Sequence, residues 1–84
     1  MSQSLTKNEI TILSKITGAG GTGNVMEILE WPASRFEEGF VLANDMQNNN
    51  LVKLLYSNFN KNLVVVEETL VGRSEYKRAN QKQI

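Results

Sequence analysis

The chain contains no cysteine and no histidine. The first absence excludes disulfides, thiol catalysis and zinc sites built on cysteine, and the second excludes a histidine general base and histidine metal ligands. No nucleophile–base pair or metal cluster is visible among the residues that remain, so neither an enzyme nor a cofactor is expected. Long apolar runs are missing as well. None approaches the roughly 18 residues of a membrane helix. The leading "MSQSLTKNE" is polar and lacks the apolar core of an export signal, so a cytoplasmic protein is the expectation. Proline occurs once, at Pro32.

What is present fits one small domain. The chain has 84 residues, 40% apolar and 21% charged, ordinary values for a globular protein. A domain of this size buries only about 60% of its unfolded surface, so its core is thin. The expected core lies within residues 5–76, followed by a polar tail over 77–84 that frays.

Net charge is zero, but unevenly spread. Residues 1–50 carry Lys7, Lys15 and Arg35 against Glu9, Glu27, Glu30, Glu37, Glu38 and Asp45, a balance of −3. Residues 51–84 carry Lys53, Lys61, Arg73, Lys77, Arg78 and Lys82 against Glu67, Glu68 and Glu75, a balance of +3. Attraction to nucleic acid is therefore expected from the second half.

Thr6 and Glu9 form a capping box ahead of "ITILSKI", whose Ile10, Leu13 and Ile16 recur at helical spacing. The spacing predicts a first helix over 7–17, stopped at Gly18. "TGAGGTGNV" follows, with Gly18, Gly20 and Gly23 in G-x-G-x-x-G spacing. A dinucleotide cradle needs a strand before that motif, and here a helix precedes it, so the run reads as a flexible connection. Asn24 and Glu27 start a short second helix, "VMEILEW", which Pro32 ends. Ser34 and Glu37 make a third capping box for a helix over 35–48, with Phe36, Phe40, Ala43 and Met46 inward and "NNN" as its stop. The period then changes. "LVKLLYS" and "LVVVEET" flank the turn-rich "NFNKN", a β-hairpin, and the segment after it starts as a helix. The adjacent glutamates Glu37–Glu38 and Glu67–Glu68 point apart and make no carboxylate dyad; Glu67 and Glu68 are expected to guard a strand edge.

The order helix, helix, helix, strand, strand, helix resembles the winged helix-turn-helix superfamily, broadly its MarR/PadR-like and archaeal regulators. The most telling stretch is "VLANDMQNNNLVKLLYSNFNKNLVVVEETLVGRSEY". A helix there ends in a polar stop, the apolar pair Leu51 and Val52 enters a hairpin, and Thr69, Gly72 and Tyr76 open the next helix. The resemblance covers residues 5–76. It implies an α+β fold, a three-helix winged helix-turn-helix with a C-terminal β-hairpin wing and a following helix. It also implies a small DNA-binding transcription regulator, possible as a homodimer through its N- or C-terminal helices. The helix over 35–48 would enter the major groove. By position, Ser34, Arg35, Glu37, Glu38, Val41 and Asn44 or Asp45 would face the groove. Asn58, Asn60, Lys61 and Asn62 would touch the backbone from the wing, with Lys53, Arg73 and Lys77 as secondary phosphate contacts.

The charges depart from that pattern. Residues 24–50 hold Arg35 alone against five acids, whereas phosphate binding rests on lysine and arginine. Val41 and Leu42 also widen the apolar face of the third helix beyond what an internal core needs. The alternative is a winged-helix protein-interaction module that uses Glu37, Glu38, Val41 and Leu42 and binds no DNA.

Overall fold

The computed structural model describes residues 5–81. Helix α1, Lys7–Gly18, starts where the sequence places it: Thr6 accepts from the Glu9 amide while the Glu9 carboxylate accepts from the Thr6 amide. Its Ile12, Leu13 and Ile16 are buried. The glycine run is an ordered element rather than a loose connection. Gly20 and Gly21 take φ of 89° and 104°, and the Gly21 amide returns to Ile16 O at 2.7 Å, closing the end of α1. Thr22–Asn24 then forms strand β1.

Asn24 caps helix α2, Val25–Ile28, through its side chain. The helix is shorter than expected and stops before Trp31. Glu30 turns left-handed at φ 57°, which lets the Trp31 amide reach Met26 O at 2.9 Å. Pro32 leads into a 3-10 turn, Ala33–Arg35, and then helix α3, Phe36–Asn48. The Ser34–Glu37 capping box does not form, because the 3-10 turn takes up Ser34 and leaves Arg35 as an N-cap without a side-chain bond. Asn50, at φ 63°, ends α3 in the left-handed conformation that asparagine tolerates.

Strands β2, Val52–Asn58, and β3, Leu63–Glu68, form the hairpin, and β1 joins it in a three-stranded antiparallel sheet of order β1-β3-β2. β3 is therefore central, so Glu67 and Glu68 do not guard an edge. The Glu68 carboxylate instead accepts from the Thr17 hydroxyl at 3.2 Å, and its amide donates to Gly21 O at 2.7 Å. A bulge at Leu55 breaks the β2–β3 register. Helix α4, Leu70–Gln81, continues past Tyr76, and of the tail expected to fray, 82–84 lie outside the described residues. The result is an α+β fold in which helices and sheet share one core of Ile12, Leu13, Ile16, Val25, Met26, Ala43, Met46, Leu51, Val52, Val64 and Val66. Among the described residues no helix is long and apolar enough to cross a membrane.

The Thr69 and Gly72 pair has a packing reason. The Thr69 hydroxyl accepts from the Gly72 amide at 2.9 Å and lies 2.5 Å from Asn50 O and 3.0 Å from Leu51 O. This draws the start of α4 onto the α3–β2 junction so closely that a Cβ on Gly72 would overlap the Leu51 carbonyl. A Cβ on Gly39 would overlap the sulfur of the buried Met26, a flexible side chain that can shift where backbone cannot. Alanine gains about 1 kcal/mol over glycine in a helix interior. We therefore expect Gly72→Ala to destabilise by about 3 kcal/mol through backbone overpacking, and Gly39→Ala to cost under about 1 kcal/mol. Urea denaturation compares the two; equal costs would contradict this packing.

Candidate functional site

The outer face of α3 carries Glu37, Glu38, Val41 and Asp45, one turn apart and exposed. Opposite its flank stand Trp31, just before the 3-10 turn, and Asn8 near the start of α1. Together with Leu42 these residues line an open groove of about 410 Å³. Its floor is apolar and its rim holds three carboxylates. Val41 is 50% exposed, a large fraction for a valine in the middle of a helix.

Arg35, beside Trp31 and Glu38 of the groove wall, is engaged. Its Nε donates to Glu38 Oε1 at 3.0 Å and its Nη2 to Glu38 Oε2 at 3.1 Å, a bidentate pair. The guanidinium carbon lies 3.9 Å from the centre of the Trp31 ring. The arginine is thus stacked on one side chain and gripped by another. The hydrogen bond from Arg35 holds the Glu38 carboxyl below its ordinary range, with desolvation opposing it, and the same bond raises the pKa of Arg35. Both side chains stay in water, so the pair fixes geometry more than stability.

The β2–β3 turn leans on the start of α3. Phe59, 65% exposed, sets its ring edge-on to Phe36 at 5.3 Å, and Phe36 stacks on Phe40 at 6.4 Å. Asn62, at φ 54°, donates to Trp31 O at 3.1 Å, and its own carbonyl accepts from Asn24 Nδ2 at 3.3 Å. Asn58 closes the turn by accepting from the Lys61 amide at 3.2 Å and donating to the Tyr56 hydroxyl at 2.9 Å. Asn58 and Asn62 are therefore spent on the turn itself. Asn60 and Lys61 stay exposed.

The residues expected to contact DNA fall into two groups. Ser34, Arg35, Asn60 and Lys61 gather where the turn meets the start of α3. Lys53 pairs in register with Glu67 near the other end of the hairpin. Arg73 and Lys77 lie on α4, which begins against Asn50 and Leu51 beyond the end of α3. The seven residues of β2 put about 20 Å between these groups. Asn44 is half-buried on α3 between Glu37 and Gln47, and Gln47 accepts from the Leu54 amide at 2.8 Å. Leu42 is half-buried and packs on the core, while Glu37, Glu38 and Val41 lie together at the groove.

Trp31 and Asn8 are not among the expected site residues, and Asn62, expected as a wing contact, has another role. Trp31 forms a groove wall and the platform under Arg35, Asn8 reaches the groove from α1, and Asn62 tethers the turn. The Arg35–Glu38 pair had a readable signal, its three-residue spacing along a helix. Asn8 and Asn62 had none, since each acts across the fold. Comparison with protein-family models, with curated proteins and with solved structures returns no match to this chain.

The Arg35–Trp31 stack supplies an optical test. Protonating Glu38 releases one partner of Arg35. Because the folded pKa is depressed, the pairing is complete above the ordinary glutamate value of about 4.3 and is lost only as pH falls through the lower folded value. Trp31 emission should change with a midpoint below that value while the fold persists by circular dichroism, and Glu38→Gln should remove the step. A step unchanged in Glu38→Gln would show that another group drives it.

Proposed function

We propose that this chain is a small winged-helix protein that docks another protein through the acid-rimmed groove of α3. The scaffold half of the reading is supported by the element order and by the sheet order β1-β3-β2, which place a hairpin turn beside the first turn of α3. The docking half is carried by one observation. The exposed face of α3 presents Glu37, Glu38 and Asp45 around an uncovered Val41, and the neighbouring Arg35 is already bound to Glu38. Such a face repels phosphate and suits a segment that alternates lysine or arginine with apolar residues, an amphipathic helix above all.

DNA binding is the second reading, and a specific arrangement favours it. Lys61 and Asn60 are exposed on a turn that Phe59 pins beside α3, and Arg35 keeps three of its five donors free of Glu38. Glu38 and Trp31 would then hold that arginine ready for a base or a phosphate. The reading has few phosphate contacts to draw on, since Lys53, Arg73 and Lys77 lie at the far end of the hairpin.

Two measurements separate the readings. A synthetic amphipathic helix of leucine and lysine, added to isotopically labelled protein, should shift the amide signals of Glu37, Val41 and Asp45 and the Trp31 indole. Val41→Glu, at a half-exposed position, should abolish the response without unfolding the chain. Absence of those shifts would overturn docking. Titration onto duplex DNA at about 50 and 200 mM salt should show no binding or, for the second reading, binding with a steep salt slope. In that case Lys61→Glu should weaken it, and Glu37→Gln with Glu38→Gln should strengthen non-specific binding.

A further inference from the structure

The chain carries, on α4, a surface complementary to its own groove. Leu70, Arg73, Ser74 and Lys77 recur every three or four residues and so form one stripe along the helix, with Arg78 beside it. Leu70 is 86% exposed and the adjacent Val71 48%. An uncovered leucine heading a basic stripe is the pattern the groove selects for. Arg78 pairs with Glu75 at 3.4 Å, while Arg73 and Lys77 make no ion pair among the described residues. The opposite face of α4 is fixed by Gly72 against Leu51 and by Tyr76 against the core, which leaves the stripe turned outward.

From this complementarity we infer that the occupant of the α3 groove is α4 of a second copy of this chain. The inference rests on the docking reading and names its partner. Leu70 seats against Val41 and the groove floor. With the two helices antiparallel, Arg73 lies one turn along, about 4.5 Å, opposite Glu37 and Glu38. The helix dipoles favour the same direction, because the negative C-terminal end of α4 then lies beside the positive N-terminal end of α3. The contact joins unlike surfaces. Two copies related by a two-fold axis make it twice, a closed ring makes it once per copy, and an open chain leaves a free groove and a free helix for further copies. The charge imbalance between the halves of the chain, −3 against +3, then serves recognition between copies.

Sedimentation equilibrium of the full chain tests this. At about 50 mM salt the mass should rise above that of the monomer with concentration, and about 500 mM salt should raise the dissociation constant by about tenfold or more. Arg73→Glu should give a monomer, as should Glu37→Lys, both with the wild-type melting temperature. An equimolar mixture of the two variants should associate again, because the reversed charge on α4 then meets the reversed charge on the groove. Leu70→Ser removes the apolar contact without altering charge and should weaken association by about tenfold. A wild-type chain that stays monomeric at low salt, or charge-reversed variants that associate as the wild type does, would overturn the inference. If the wild type is monomeric yet the leucine–lysine helix still shifts Glu37 and Val41, docking stands and self-association falls. If neither occurs, both fall.

Discussion

One asparagine side chain joins most of what surrounds the groove. Asn24 Oδ1 accepts from the Met26 amide at 3.2 Å, starting α2, and from the Val64 amide at 2.8 Å, binding that start to the central strand. Its Nδ2 donates to the carbonyl of Asn62 at 3.3 Å, fixing the β2–β3 turn. Asn62 in turn holds the backbone of Trp31, whose ring carries Arg35, which Glu38 grips. A helix start, a strand, a turn and a stacked cation are thus linked through hydrogen bonds of about 3 Å that begin at a part-buried amide. The amide offers acceptor and donor together at this spot; aspartate would lose the bond to Asn62, and leucine all three.

This chain of contacts gives the α3 surface its character. A helix that begins with two glutamates repels a polyanion if both are free. Here they are not equivalent. Glu38 is drawn into a bidentate pair, so Arg35 is held in place and its charge is largely offset. Glu37 and Asp45 stay unshared on the groove rim, among the described residues. The outward field of the helix is therefore negative, with an apolar strip down its middle. At the far end of the hairpin the signs reverse, on a helix held there by the close approach of Gly72 to Leu51.

The sequence made local features legible and left distant ones obscure. The Thr6–Glu9 cap, the hairpin, and Leu13 and Ile16 of the α1 stripe follow from spacing and turn chemistry and are present, with Ile12 rather than Ile10 completing the buried set. Strand β1 has little local signal, because Thr22-Gly23-Asn24 has weak strand propensity of its own; it becomes a strand only when β3 is there to pair with. The same blindness made Glu67 and Glu68 look like edge residues. Ser34 and Glu37 matched a capping box in spacing, but Pro32 and the 3-10 turn ahead of α3 left the box unmade. Of the groove, Glu37, Glu38, Val41 and Leu42 could be read as one helix face, whereas Trp31 and Asn8 come from other elements.

The bulge at Leu55 has a wider consequence for a protein whose net charge is zero. Such a chain has little like-charge repulsion to keep copies apart, and open sheet edges become its most hazardous surfaces. One edge of this sheet is β1, a strand of three residues. The other is β2, where the ladder breaks between Leu54 and Tyr56. Neither offers a straight run of backbone groups long enough to template a foreign strand. Encounters between copies are thereby steered away from indiscriminate backbone pairing and toward side-chain surfaces, where partners can be told apart.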